Sequence, residues 1–291
     1  MCVNLPFHCE ARRDAPTKSA HNEVEPKSVI PFNHRPLCPL GMILNERKRY
    51  KIKCQYCGEN KKLIKAHIIP ASFFKPLRKD NGDVPHLMTD LPGEFPKKSP
   101  IGVYDKTILC RDCEDQFAQW DEYGFKSLVD GVKQPRPLYY QQKLMAFILP
   151  QVDTDQLKRF LLSVLWRASV SSQDFYKQLN LGAYQDKIQS ILENNTVLAK
   201  DEYSFFLSRF DDQYFGSTML DPRHERWDGV GYYRIYLGGF IAHIKVDKRP
   251  SSPSFAPFIQ QGTSDLIVLA RELKTSAEFE IMKQIVKQNL I

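Results

Sequence analysis

The sequence predicts an α+β protein, and three patterns along the chain support that prediction. In the first half, two C-x-x-C pairs bracket short apolar segments, and a helical pattern follows the second pair. An amphipathic helix, with an apolar residue every three or four positions, follows near the middle of the chain. Beyond residue 200 the apolar period changes to two, which is typical of strands, before a closing helix.

Length and composition limit the class of protein. The 291 residues fit about two domains, and 42% hydrophobic with 12% aromatic residues is enough to build a core. A net charge of +7 permits an anionic partner without establishing one. No apolar run approaches the roughly 18 residues of a membrane-spanning helix, and the N-terminus lacks the apolar centre of a signal peptide. We therefore expect a cytoplasmic protein with no membrane partner.

Composition divides the chain into four predicted segments. Residues 1–45 are rich in Pro, Asn, Ser and charge, which predicts a disordered tail, with Met42 as an alternative start. Residues 46–130 carry the cysteine pairs and predict a small domain. A stretch rich in Pro and Gly then opens a predicted helical segment, residues 131–200. Residues 201–291 predict a second, antiparallel α+β domain of unknown role.

The two C-x-x-C pairs predict a structural zinc site formed by Cys54, Cys57, Cys110 and Cys113. With seven cysteines in 291 residues, chance would give roughly 0.2 such pairs. Each pair offers two thiolates to one ion, and two pairs complete a tetrahedral Zn²⁺ site, with unliganded thiols as the alternative. Zinc contributes on the order of 10–16 kcal/mol of apparent binding energy, more than a core of this size normally supplies.

The segment between the pairs predicts two strands, followed by a helix. The first strand, residues 62–67, ends in His67, and Pro70 then prevents further ladder pairing. A long loop rich in Pro and Gly, residues 80–100, leads to a second strand at 101–110. The helix that follows carries three large apolar residues on its inward side: Phe117, Trp120 and Leu128.

The middle of the chain predicts two helices. Apolar residues from Leu157 to Ala168 follow the helical period, and Asp153 with Gln156 supplies a capping-box start. A second helix is predicted over Tyr184–Leu192.

The last ninety or so residues predict strands and a final helix. Gly238-Gly239 predicts a two-residue hairpin turn, and the final helix begins at Ser276. Five segments rich in aromatic and β-branched residues predict the strands: Tyr203–Phe210, Tyr214–Leu220, Tyr232–Leu237, Phe240–Val246 and Leu266–Ala270.

The stretch from residue 47 to 65 is strongly basic, with eight Lys and Arg against Glu59 alone. Such a run fits either a solvated charged face or a phosphate-binding surface. Lys62 and Lys65 flank the strand that ends in His67, so they are the candidate substrate-binding residues.

Each C-x-x-C pair is typical of a zinc knuckle, a tight turn that carries two metal ligands. The order of knuckle, strand with histidine, loop, strand, knuckle and helix resembles that of the HNH endonucleases over about residues 50–130. The A-H-I-I-P element and the L-C-x-x-C helix start match that family in order. The resemblance implies a treble-clef-like ββα domain supported by zinc, with His67 as the general base that deprotonates water. Asp105 corresponds to the asparagine of the family motif, and Glu114 to its last histidine, a metal ligand.

Departures from the motif leave some roles open. Ala66 occupies a position where the family often has a metal-binding residue. Because carboxylates suit Mg²⁺ or Mn²⁺, we predict that Glu114 holds the catalytic ion, and that Asp105 either orients His67 or joins the metal shell. Asp121 is a weaker ligand candidate, and a solvated helix carboxylate is the favoured interpretation of it. Such a site would let the ion stabilise phosphate charge while the imidazole activates water.

Five residues outside the motif are further candidates for functional roles. We predict that His86 is incidental, with substrate contact as the alternative, and that His224 and His243 are structural. We predict that Trp166 belongs to the core and that Arg167 forms an interdomain pair, with phosphate binding as the alternative.

The sequence thus predicts a metal-dependent nuclease that cuts nucleic acid, with DNA favoured. Analogy alone suggests bacterial defence or a mobile element as the setting. A zinc-stabilised nucleic-acid-binding module without catalysis is the second hypothesis, motivated by Ala66 and the altered motif. The third is a protein-interaction scaffold whose C-terminal half docks a partner.

Overall fold

The computed structural model describes residues 53–78, 82–130, 135–211 and 218–288. The predicted tail and the alternative start at Met42 lie outside these residues. The first half of the chain contains β1 (Ala66–His67), β2 (His86–Met88), β3 (Lys97–Lys98), β4 (Tyr104–Asp105) and α1 (Arg111–Phe125), which a π-helical turn, Lys126–Asp130, extends.

The remaining elements form a larger α+β assembly. They are β5 (Arg136–Tyr140), β6 (Lys143–Asp153), α2 (Thr154–Val170), α3 (Tyr184–Glu193), β7 (Phe205–Phe210), β8 (Thr218–Leu220), β9 (Arg223–Trp227), β10 (Val230–Leu237), β11 (Phe240–Lys245), β12 (Thr263–Arg271) and α4 (Ala277–Gln288). The predicted α+β class is confirmed.

The first strand and the helix after the second cysteine pair lie where the sequence predicts them. β1 pairs antiparallel with β4, so that Ala66 lies opposite Asp105 and His67 opposite Tyr104. Both strands are shorter than predicted. The chain bends at Gly102, just before β4, where φ is 80°. Gly102 also lies so close to the Phe74 ring that a Cβ atom at this position would be 2.3 Å from it. The three apolar residues predicted to face inward on and just after α1 are buried: Phe117, Trp120 and Leu128.

The segment 80–100 is not the structureless loop that its Pro and Gly content predicts. β2 and β3 lie within it and form a three-stranded sheet in the order β3-β2-β8. β2 is antiparallel to β3 and parallel to β8, a strand from the far end of the chain. A local pattern cannot reveal such a distant partner.

A seven-stranded sheet in the order β5-β6-β12-β7-β11-β10-β9 dominates the larger assembly. Its neighbours are antiparallel except for β12 and β7, which run parallel, so the predicted antiparallel sheet is mixed. The prediction that residues 131–200 are helical is wrong for β5 and β6, which form one edge of this sheet. β6 contains the continuous apolar run Leu144–Leu149, and such short runs fit a strand or a buried helix equally well.

The predicted hairpin turn is confirmed. Leu237 pairs with Phe240 across β10 and β11, and Gly238 and Gly239 have φ values of 58° and 94°. Two left-handed residues are what this tight turn requires, and glycine adopts them without steric cost.

The central helix α2 joins the two sets of elements. Its predicted cap is present, because the Asp153 carboxylate accepts from the backbone N–H groups of Asp155 and Gln156. The helix packs against α1 on one side and contacts α3 and the sheet on others. Trp166 on this helix is fully buried, as predicted, within a core that runs from the first cysteine pair to the large sheet. None of the described helices is long and apolar enough to cross a membrane.

Candidate metal centre and the histidine beside it

Four cysteine sulfurs converge at the start of α1. The Sγ atoms of Cys54, Cys57, Cys110 and Cys113 all lie within 4.8 Å of one another, and those of Cys57 and Cys110 are 4.0 Å apart. A Zn–S bond of about 2.3 Å in a tetrahedral site puts two sulfurs about 3.8 Å apart, so the cluster fits a structural zinc ion. Within the described part of the chain, no other group of three or more His, Cys, Asp or Glu side chains comes together in this way.

Backbone geometry prepares the first cysteine pair for a metal. The N–H of Gly58 donates to the carbonyl of Cys54 at 2.9 Å, and Gly58 has a φ of 70°, a left-handed conformation that glycine adopts without steric cost. Burial raises the pKa of Cys54, but backbone N–H groups of Cys57, Cys110 and Tyr56 outweigh it and lower the pKa to about 7. These donors favour the thiolate, which is the form that binds zinc.

The residue inside the first pair ties the cluster to both helices. Tyr56 is buried, and its ring meets those of Phe117 on α1 and Trp166 on α2 edge-on, with centroids 4.9 and 5.1 Å apart. The cysteine cluster is therefore packed against the shared core.

His67 lies at the end of β1, half-buried, with its Nε2 atom shielded from solvent and without a hydrogen-bond partner among the described residues. Burial lowers the pKa of His67, and the positive charges of Lys65 and Arg167 lower it further, whereas Asp121 opposes them. The imidazole is therefore neutral at pH 7, the form in which it can accept a proton.

Glu114, on the first turn of α1, lies against the same strand end. The backbone N–H of His67 donates to its carboxylate, while its Oε2 atom is buried without a hydrogen-bond partner among the described residues. Burial raises the pKa of Glu114, and the Asp121 charge adds to this, although Arg167 opposes both. The structure thus brings together two of the three residues that the sequence predicts to be catalytic.

Asp105, the third residue that the sequence predicts to be catalytic, does not lie with His67 and Glu114. It pairs with Ala66 across the strands, and because side chains alternate between the two faces, it points away from the face of His67. Its buried carboxylate accepts from the N–H and hydroxyl of Thr107 at 2.8 and 2.6 Å. It also accepts from Ser172, through the N–H at 2.8 Å and the hydroxyl at 2.9 Å, and from the Ser171 hydroxyl at 3.1 Å.

These hydrogen bonds show what Asp105 does. Burial raises its pKa, but the bonds from Thr107 and Ser172 outweigh burial and hold the pKa of Asp105 below its usual range. The carboxylate anchors the turn after α2 to β4. This arrangement differs from the prediction that Asp105 orients His67 or binds the ion.

Arg167 is the residue whose importance the sequence understates. Its side chain is fully buried, and it donates to the backbone carbonyl of His67 at 3.0 Å and to both carboxylate oxygens of Asp121 at 2.9 and 2.5 Å. The predicted pairing of Arg167 is present. Asp121 is not a solvated helix carboxylate, because only 17% of its side chain is exposed. The signal in the sequence is an arginine within the mostly apolar run Phe160–Ala168, where a charged side chain requires a buried partner.

The predicted substrate-binding lysines are both exposed. The Nζ atom of Lys65 lies 3.5 Å above the ring centre of Tyr104, whose ring lies 6.0 Å from that of His67. Lys65 therefore flanks the histidine, while Lys62 lies further along the same segment. The basic residues before residue 53 fall outside the described part of the chain.

Comparison with known protein families, curated proteins and solved structures gave no match. A functional assignment therefore depends on the geometry of the site itself.

Proposed function

We propose that the protein is a metal-dependent nuclease of the HNH type that hydrolyses phosphodiester bonds, with DNA as the favoured substrate. One observation carries the proposal: Nε2 of His67 and Oε2 of Glu114 are both buried without partners, on residues joined by a backbone hydrogen bond. Buried polar atoms are normally hydrogen-bonded, and two that are not, beside a cysteine cluster, favour a site that a ligand completes.

Each group has a distinct role in the proposed reaction. Zinc on the four cysteines holds the first knuckle to α1, in a treble-clef-like ββα domain built from β1, β4 and α1. Glu114 provides a carboxylate for Mg²⁺ or Mn²⁺, which commonly takes one or two carboxylates and fills its shell with water and phosphate oxygens. Neutral His67 accepts the proton of the attacking water. A bacterial defence setting rests on analogy alone.

A cleavage assay tests the enzyme. Purified full-length protein is incubated with supercoiled plasmid and Mg²⁺ or Mn²⁺, and nicking is followed with time. His67→Ala removes the base, so we expect the rate to fall by at least about 100-fold. His224→Ala, which alters an exposed histidine away from the site, is the matched control and keeps the wild-type rate. If His67→Ala cuts as fast as wild type, the assignment is wrong.

A zinc-stabilised module without catalysis, binding nucleic acid or a protein, is the second candidate. The observation that favours it is the shortage of available carboxylates: Asp105 already accepts several hydrogen bonds, and Arg167 neutralises Asp121. Its nucleic-acid-binding form predicts salt-sensitive affinity for DNA and no cleavage with either metal. Its protein-binding form predicts a complex that survives neutralisation of the exposed lysines.

A further inference from the structure

An open cleft of about 470 Å³ borders the candidate site. Tyr104 lines it, and Tyr104 is the residue that pairs with His67 across β1 and β4. Three lysines also line this cleft: Lys97 and Lys98 from β3, and Lys106 just after β4. Neither Lys65 nor His67 lines the cleft, and Tyr104 is the residue that the cleft shares with the contacts of those two side chains.

The charge of this cleft is positive. Asp105 is the one carboxylate in its lining, and that carboxylate already accepts hydrogen bonds from Thr107 and the turn after α2. Lys97 pairs with Glu94 at 2.6 Å. Lys98 and Lys106 have no ion pair with any of the described carboxylates, so two ammonium groups remain for an anionic ligand.

The walls of the cleft are already formed. Gly102 packs against the Phe74 ring, as described above, and leaves the cleft without a side chain at that position. The guanidinium of Arg78 donates to the carbonyl of Pro100 at 3.1 and 2.7 Å, which fixes the segment between β3 and β4. The hydroxyl group of Ser99 adds a hydrogen-bond donor to the lining, whereas that of Ser172 already donates to Asp105.

We infer that this cleft binds the phosphate backbone of the nucleic acid next to the bond that is cut, with Lys98 and Lys106 contacting phosphates. The inference rests on the proposed function and extends it beyond Lys62 and Lys65. Lysine ammonium groups release condensed counterions when they contact phosphates, which makes the affinity fall with salt. Tyr104 connects the cleft with the candidate base, because it lines the cleft and its ring lies 6.0 Å from that of His67.

A second cleft on the same protein provides the matched control. It measures about 520 Å³ and is lined by Lys143 and Lys274, but Asp211 and Glu272 lie in the same lining. The third cation of that lining, Arg271, is already paired with Glu278. Two lysines are thus present in a space of similar size, with their charge balanced locally. Neutralising them should not alter the binding of an anionic polymer.

The experiment measures binding apart from cleavage. A fluorescein-labelled DNA duplex of about two helical turns is titrated with full-length His67→Ala protein, and anisotropy gives the dissociation constant between about 50 and 200 mM salt. Each phosphate contact contributes about 0.9 to the slope of log K against log salt. We expect K98Q/K106Q to reduce that slope by about 2 and to weaken binding at least roughly tenfold at about 100 mM salt.

The outcomes separate this inference from the proposed function. K143Q/K274Q should keep the slope of the His67→Ala parent, and circular dichroism checks that both double variants remain folded. An unchanged slope in K98Q/K106Q, an equal loss in both double variants, or no binding of the duplex overturns the inference, even if wild type cuts DNA. A slope that falls only in K98Q/K106Q supports phosphate binding in the cleft, even if wild type cuts no DNA with Mg²⁺ or Mn²⁺. The absence of cleavage would overturn the proposed nuclease activity and not the cleft.

Discussion

At the scale of single residues, a guanidinium as completely buried as that of Arg167 needs a partner on nearly every donor, because desolvating an ion costs several kcal/mol. Arg167 meets this need with the Asp121 carboxylate, the His67 carbonyl and the Ser163 carbonyl at 3.3 Å. Its guanidinium carbon also lies 5.2 Å from the ring centre of Phe117. One side chain on α2 therefore fixes α1 and the end of β1 that carries the histidine.

Replacing Arg167 by Met should lower the free energy of unfolding by about 3–5 kcal/mol, because Asp121 would keep a largely buried charge without a partner. Chemical denaturation followed by circular dichroism measures the change. The control is Lys126→Met, which removes an exposed pair with Glu122 and should leave the unfolding midpoint nearly unchanged. The double variant R167M/D121L should be more stable than R167M, and the opposite order would contradict a charge-pairing role.

At the scale of elements, the sequence predicts best those whose signals are local. The caps of α2 at Asp153 and the Gly238-Gly239 turn depend on neighbouring residues, and both are present as predicted. The sequence does not indicate β2, because its partner β8 is distant along the chain. It does not indicate β5 either, because all five residues of Arg136–Tyr140 are exposed at the edge of the sheet. Their pairing is a property of the assembled fold.

The same contrast holds within the candidate site. The C-x-x-C spacing identifies the four cysteines because each pair is local, and the order of motifs brings Glu114 to the strand of His67. The motif position of Asp105 misleads, since the partners that determine its role, Ser171 and Ser172, lie after α2. No pattern near residue 105 indicates them.

Zinc removal should act on the knuckle and α1 as a unit. Elemental analysis of wild type should give one zinc per chain, and Cys113→Ser should lose it, together with apparent binding energy on the order of 10 kcal/mol. Because Tyr56 and Phe117 pack against Trp166, tryptophan fluorescence should change when a chelator strips the metal. Cys38→Ser, which alters a cysteine that belongs to neither C-x-x-C pair, should retain the zinc. Equal zinc content in both variants would contradict the assignment.

At the scale of the whole molecule, α4 closes the chain onto the sheet through buried charges. Glu278 is fully buried and binds the guanidinium of Arg271 on β12 at 2.7 and 2.8 Å, and it lies 3.2 Å from Arg234 on β10. Arg234 in turn pairs with Glu225 on β9. This network places a polar layer between the sheet and the last helix, on a face where a strand pattern alone predicts apolar packing.

This buried layer also contains a histidine, His243. It is buried on β11, with Nε2 3.2 Å from the Ser208 hydroxyl and Nδ1 3.4 Å from the Glu225 carboxylate. Burial lowers the pKa of His243 and the charges of Arg271 and Arg234 lower it further, although Glu225 opposes them. Protonation of the native ring would therefore place a further positive charge near buried Arg234 and partly exposed Arg271.

This arrangement makes the folded protein sensitive to mild acid. The pKa of His243 in the folded protein is below its unfolded value of about 6.5. As the pH falls, the unfolded chain therefore binds the proton before the folded protein does. The stability that depends on the neutral ring is complete above about pH 6.5 and decreases below that pH. The thermal unfolding midpoint of wild type should therefore fall more between about pH 7.5 and 5.5 than that of His243→Gln, which has no proton to gain. His224→Gln, at an exposed position, should follow wild type. Parallel curves for wild type and His243→Gln would show that this ring does not set the acid limit of the fold.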